Sequence, residues 1–242
     1  MAGCDTVLAK ERVMTENRQV VEPFEDASLG EPSVRGFLHR PLDASGEGLV
    51  LTHGAAGNCR VPLLVALATA FAARRVSVLR CDLAYRQRRP TGPPSPARAA
   101  LDREGLKHAV GAIRRMASGQ VFLGGHSYGG RQASMLLAAR PGLVDALLLL
   151  SYPLHPPGRA SEPRTAHLPD LRVPTFFVQG SADPFGSPDE LEAARALIPA
   201  ATGVLRLDGA GHDLYRGRPR PGEPQQIAER IVTEFLTWRK VR

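Results

Sequence analysis

The stretch VFLGGHSYGG, residues 121–130, limits what this chain can become more than any other. An apolar run, Val121–Phe122–Leu123, meets a serine between glycines, Gly125–His126–Ser127–Tyr128–Gly129, and a helix-forming run over residues 131–139 follows at once. The order is strand, sharp turn, helix. A serine on such a turn holds a strained backbone conformation, with its hydroxyl projecting from the sheet edge. Glycines on both sides let strand and helix approach without Cβ clashes. The helix N-terminus behind the serine offers backbone donors and the positive end of a dipole to a developing oxyanion. The pattern predicts a nucleophile elbow at Ser127; a glycine-rich turn that merely joins two elements is the plainer alternative.

The rest of the chain supplies the sheet such an elbow needs. Residues 20–21 and 34–38 read as an opening antiparallel pair. Apolar runs at 48–52, 76–81, 145–151, 175–179 and 203–207 read as buried strands. Helical runs at 62–73, 99–116, 188–198 and 225–238 lie between or after them. Strands apolar throughout and alternating with helices predict a mostly parallel sheet covered on both faces. Residues 1–17 are polar and predict a flexible tail, leaving 18–242 as a single domain. The Pro-rich, basic run 86–97 predicts a solvated loop.

Composition narrows the function classes. With 43% hydrophobic and 23% charged residues, the chain can bury a core, so a disordered protein is excluded. No apolar run reaches membrane-spanning length, and the first residues lack the apolar centre of a signal peptide; a cytoplasmic location is the expectation. Cys4, Cys59 and Cys81 form neither a metal-ligand spacing nor a disulfide framework, and no metal or other cofactor is expected. The net charge of +7 raises nucleic acid as a partner. It is set aside: the basic residues are mostly arginine in a chain rich in Ala, Gly and Pro, which reads as codon bias, and no aromatics interleave them.

A serine hydroxyl needs a base, and the base needs an orienting acid. In sheets that carry such an elbow, nucleophile, acid and base follow in that chain order, near the carboxyl ends of strands. Asp183, just past the strand at 175–179, is the acid candidate; a turn-initiating Asp before Pro184 is its plainer reading. His212, past the last strand, is the base candidate and the only histidine beyond that acid. Asp208 and Asp213 are rival acids by proximity. For the oxyanion, the backbone N–H of Tyr128 and one N–H from the loop at 53–57, assigned to Ala55 with Ala56 as its neighbour, are the candidate donors. His53 is read as bracing this loop, and His126 as pointing into the packing beneath the elbow.

The segments THGAAG (52–57), GGHSYGGR (124–131), LSYPLHPPG (150–158), VPTFFVQGSADPFG (173–186) and GAGHDL (209–214) together resemble one branch of the α/β-hydrolases. It is the dienelactone-hydrolase-like group related to the testis-expressed-protein and NSL-complex-subunit domains. The resemblance spans about residues 34–240. It implies the α/β-hydrolase fold with a minimal lid and the triad Ser127, Asp183 and His212. Dienelactone hydrolases use a cysteine nucleophile where this chain has Ser127, so lactone specificity does not carry over.

About twenty residues separate the strand ending at Ser151 from the next, too few for a large lid. Tyr152 and His155 are expected to contact substrate at the rim of a small, open pocket that favours short acyl groups. The expected partner is a small-molecule acyl ester or thioester, with neither nucleic acid nor membrane involved; the sequence leaves the oligomeric state open. The alternative is a non-catalytic interaction domain on the same scaffold, which predicts a displaced triad or a blocked pocket.

Overall fold

A computed structural model of the chain describes residues 13–15 and 19–241. Its strands are β1 (Val13–Thr15), β2 (Gln19–Asp26), β3 (Val34–Pro41), β4 (Gly48–Thr52), β5 (Ser77–Cys81), β6 (Val121–His126), β7 (Ala146–Leu150), β8 (Thr175–Gly180) and β9 (Thr202–Leu207). Its helices are α1 (Pro62–Ala73), α2 (Ala84–Arg88), α3 (Ala99–Arg114), α4 (Tyr128–Ala139), α5 (Pro188–Arg195) and α6 (Glu223–Lys240). The strands form one sheet in the order β1-β2-β3-β5-β4-β6-β7-β8-β9. Pairings among β1, β2, β3 and β5 are antiparallel, and from β5 to β9 all are parallel.

Burial explains the continuous apolar runs. Every residue of β4, β7 and β8 is buried, because helices cover both faces. Alternation sorts the side chains between two cores. Leu49, Leu51, Phe122, Leu148, Phe176 and Val178 pack with α1 and α6 on one face. Val50, Leu79, Leu123, Leu147, Leu149 and Phe177 pack with α3 and α4 on the other. Helix α1, PLLVALATAFAA, carries almost no polar side chain, in keeping with its burial between the sheet and α6. Pro62 sits at its first turn, where a missing N–H costs nothing.

The register sets the site. Thr52 lies beside Gly125, His126 beside Leu150, Leu150 beside Val178, and Gly180 beside Leu207. The loops leaving β4, β6, β8 and β9 therefore emerge together at one edge, the carboxyl ends of the parallel strands.

Two expectations change here. The tail expected over residues 1–17 falls mostly outside the described residues, but Val13–Thr15 pairs antiparallel with β2. The segment 86–97 is not wholly a loop: it opens in α2, and Arg86 is only 6% exposed. Among the described residues no helix is long and apolar enough to cross a membrane.

Candidate active site

Ser127 caps α4 with φ +48° and ψ −115°, a left-handed conformation that a non-glycine residue holds only when its surroundings over-determine it. The determinants are visible. Its N–H donates to Leu150 O at 2.8 Å, extending the ladder to β7, while its carbonyl accepts from Arg131 N at 2.9 Å in the first turn of α4. Strand and helix approach so closely that a Cβ on Gly125 would stand 2.5 Å from Gly130 N.

The Ser127 hydroxyl donates to His212 Nε2 at 2.7 Å. His212 Nδ1–H faces both oxygens of Asp183, at 3.0 and 2.9 Å. The carboxylate also accepts from Phe185 N at 2.9 Å and Gln179 Nε2 at 2.8 Å, so both oxygens are held and its side chain is fully buried. Hydrogen bonds from fixed donors keep such a carboxylate oriented toward the imidazole. The Phe185 ring stacks on the His212 imidazole, with centroids 4.0 Å apart. The hydroxyl, imidazole and carboxyl named from chain order are thus in one hydrogen-bonded row. Asp208 and Asp213 stand aside: the Asp208 carbonyl takes the Arg216 side chain, and Asp213 accepts from Tyr215 N.

His126 departs from its expected place. It lines the cavity beneath His212, and its Nε2–H donates to the His212 carbonyl at 2.9 Å. Burial pushes its pKa down to about 4, so the ring stays neutral near pH 7. Gly54 makes room for it: a Cβ there would meet His126 Nδ1 at 2.7 Å.

The loop at 53–57 is held from below. His53 Nδ1–H donates to Gly54 O at 2.8 Å, and its Nε2 accepts from Leu83 N at 3.1 Å, which fixes the tautomer of a fully buried ring. Burial lowers its pKa. Tyr85 Oη donates to Ala55 O at 2.8 Å. Arg86 donates to five carbonyls: Ala55, Gly57, Arg89, Pro90 and Gly92, at 2.8 to 3.2 Å. Asp102 anchors the same cluster, accepting from Tyr85 N at 2.9 Å and Tyr128 Oη at 2.7 Å. Arg86, read from sequence as part of a solvated basic run, is a fastener between two loops. No local pattern marks it, because the tie it makes is to the backbone oxygens of Ala55 and Gly57, about thirty residues away.

Tyr152 and His155 require correction as substrate contacts. Tyr152 is fully buried, its ring packs against Phe177, and its hydroxyl donates to Arg164 O at 3.0 Å. His155 is bonded to Pro156 O and lies 3.3 Å from Glu190, which completes the capping box of α5 with Ser187. Neither lines the cavity. Pro153 and Arg164, from the same segment, do so instead.

The cavity over Ser127 measures about 1060 Å³. Ligand pockets run from about 300 to 1,000 Å³, so this one is large, contrary to the small pocket expected from the short β7–β8 connection. Its walls come from loops far apart in sequence: Pro93, Pro94 and Pro96 before α3, and Tyr215 and Pro219 after His212. Among the described residues no group of three or more His, Cys, Asp or Glu side chains is placed to hold a metal. Cys59 and Cys81 are buried, and burial pushes both thiols up, Cys59 to about 12.

Comparison with known proteins places this geometry. Residues 45–240 match the model of an α/β-hydrolase domain family. A serine hydrolase homologue from Coxiella burnetii superposes with TM-score 0.67 at 19% identity, over 92% of this chain and 98% of that one. A dienelactone hydrolase from Anabaena variabilis superposes with TM-score 0.66 at 22% identity, over 89% and 98%. A stretch of 64 residues, 26% of this chain, is 44% identical to the polyketide synthase ThaQ of Burkholderia thailandensis, of which it spans only 3%. The chain belongs to the α/β-hydrolase domain family.

Proposed function

We propose that this hydrolase cleaves an ester or thioester of a small molecule through Ser127, His212 and Asp183, by way of an acyl-enzyme. The observation that carries the reading is the unbroken row from the Ser127 hydroxyl through His212 to Asp183, at 2.7 and 2.9 Å, opening into a large cavity. Ser127 Oγ attacks the carbonyl carbon while His212 Nε2 takes its proton. The C=O electron pair moves to oxygen, which the N–H groups of Tyr128 and Ala55 receive. Collapse breaks the bond to the leaving oxygen or sulfur, which takes the proton from His212. Water, deprotonated by His212, then attacks the acyl carbon, releasing the acid and restoring Ser127. Asp183 holds the imidazole in the required tautomer and stabilises the imidazolium.

A non-catalytic interaction domain would need neither the strained serine nor the aligned imidazole, and the open cavity gives it no support. The cavity volume argues for acyl compounds of medium size or larger rather than for short chains. Rapid mixing with p-nitrophenyl esters of increasing chain length tests the reading. The expected result is a burst of one nitrophenolate per chain, followed by slower turnover. Absence of both burst and turnover across the series overturns it.

A further inference from the structure

The cavity wall one helical turn beyond the nucleophile carries two cations, Arg131 and Arg164, that form no ion pair among the described residues. Arg131 is four residues past Ser127 on α4, so its side chain leaves the same helix face about 6 Å further along the axis. Arg164 reaches the cavity from the β7–β8 connection. Both side chains are half-buried and line the same cavity as Ser127. Arg131 Nε is fully buried without a hydrogen-bond partner. The two guanidinium groups are close enough that the Arg131 charge, together with burial, disfavours the Arg164 charge. Glu162, the carboxylate that favours charged Arg164, is exposed and paired with Arg159 at 3.1 Å.

Several arginines elsewhere are paired with acids. Arg35, Arg40, Arg74, Arg195 and Arg239 each meet a carboxylate, most of them on the surface where pairing gains least. Inside the cavity, where an unpaired charge is costly, Arg131 and Arg164 meet none among the described residues. Beside them the fully buried Gln132 gives its amide oxygen to Arg103 at 2.8 Å, leaving its Nε2 donor without a partner. The side-chain atoms left without a partner here, Arg131 Nε and Gln132 Nε2, are therefore both donors.

We propose that Arg131 and Arg164 form an anion subsite, and that the substrate carries an oxyanion group, carboxylate or phosphate, a few atoms from the scissile carbonyl. The proposal rests on the serine hydrolase reading and deepens it by naming a substrate class. Planar guanidinium forks match the oxygens of either group bidentately, and the anion supplies the counter-charge the wall lacks. The apolar part of the cavity lining, which includes Val61, Leu63 and Pro219, takes the remainder of the substrate.

The test compares matched substrates. In one arm, p-nitrophenyl half-esters of glutaric and adipic acids are set against p-nitrophenyl pentanoate and hexanoate. In the other, an acyl-coenzyme A is set against the same acyl thioester of N-acetylcysteamine. A preference in kcat/KM for the anionic member of about tenfold or more is expected in one arm. The arm that shows it tells whether the anion is a carboxylate on the acyl part or a phosphate on the leaving group. Arg131→Met and, separately, Arg164→Met are expected to lower that ratio about tenfold, mainly through KM. No preference in either arm of the wild type, or a ratio unchanged in both variants, overturns the proposal. Calorimetry with monomethyl glutarate and with phosphopantetheine on Ser127→Ala separates this question from turnover. Binding of one of them, weakened about tenfold when Arg131→Met is added, supports the subsite even if no ester is cleaved. No binding of either contradicts it.

Discussion

Two stretches of the cavity wall depend on arginine and use it in opposite ways. Below the loop at 53–57, Arg86 gives its donors to five carbonyls and is saturated. One turn along α4 from Ser127, Arg131 buries its Nε with no partner. The first arrangement fixes the backbone of the loop at 53–57, where the proposed mechanism has charge develop on a substrate oxygen. The second is left electrostatically incomplete. A protein gains rigidity from a saturated cation and ligand affinity from an unsaturated one. The same division separates the Ser127 row, where Asp183 has three donors around it, from the wall of Arg131, Gln132 and Arg164, where buried donors lack acceptors.

The largest effects fall on the saturated side. Ser127→Ala or His212→Ala should each lower kcat about 10⁴-fold or more, and the double variant should be little worse, because the residues act as one unit. Steady-state ester hydrolysis with active-site titration checks this; additive losses would break the idea of a single relay. Arg86→Met should lower kcat about 10- to 100-fold and cost about 2–4 kcal/mol of stability, since five carbonyls lose their donor together. Arg86→Lys should recover little of either, because an ammonium cannot span the fork. Full activity in Arg86→Met would show that the loop is held without it.

Acid sharpens the contrast in another way. Buried His39 has a pKa lowered to about 3 by desolvation and by Arg80, and His126 one lowered to about 4. Folded, both stay neutral well below pH 6.5, whereas the unfolded chain takes up their protons. Their effect is nil above about pH 6.5. Stability then falls by up to about 3 kcal/mol per pH unit toward pH 4 and levels off below the folded values. Urea midpoints from pH 7 to pH 4 measure this, and His39→Asn should flatten the slope. Tyr128→Phe removes a donor from Asp102, a group 1% exposed, and should cost about 1–3 kcal/mol. At the small end, Arg74→Ala breaks only an exposed pair with Glu229 and should change stability by less than about 0.5 kcal/mol.

What the sequence disclosed follows from where the information lies. The continuous apolar strands announce a sheet covered on both faces, and the glycine-flanked Ser127 announces its turn, because both depend on neighbours in sequence. Chain order pointed to Asp183 and His212, since one histidine alone follows that acid, and the fold brings both into one hydrogen-bonded row with Ser127. Arg86 was not, because its bonds join residues 55–57 to 89–92 only after folding. Tyr152 was misplaced for a related reason: a tyrosine after a strand end reads as rim, yet its ring fills the space against Phe177. The cavity volume was also hidden, being set by loops far apart in sequence whose proximity no local pattern records.

The central claim is that Ser127 is a hydroxyl activated by His212. Incubation with a fluorophosphonate, followed by intact mass and peptide mapping, tests it most directly. One adduct per chain on Ser127, absent in Ser127→Ala and strongly slowed in His212→Ala, is the result expected. A wild-type chain that stays unlabelled, or an alanine variant labelled equally well, would contradict it.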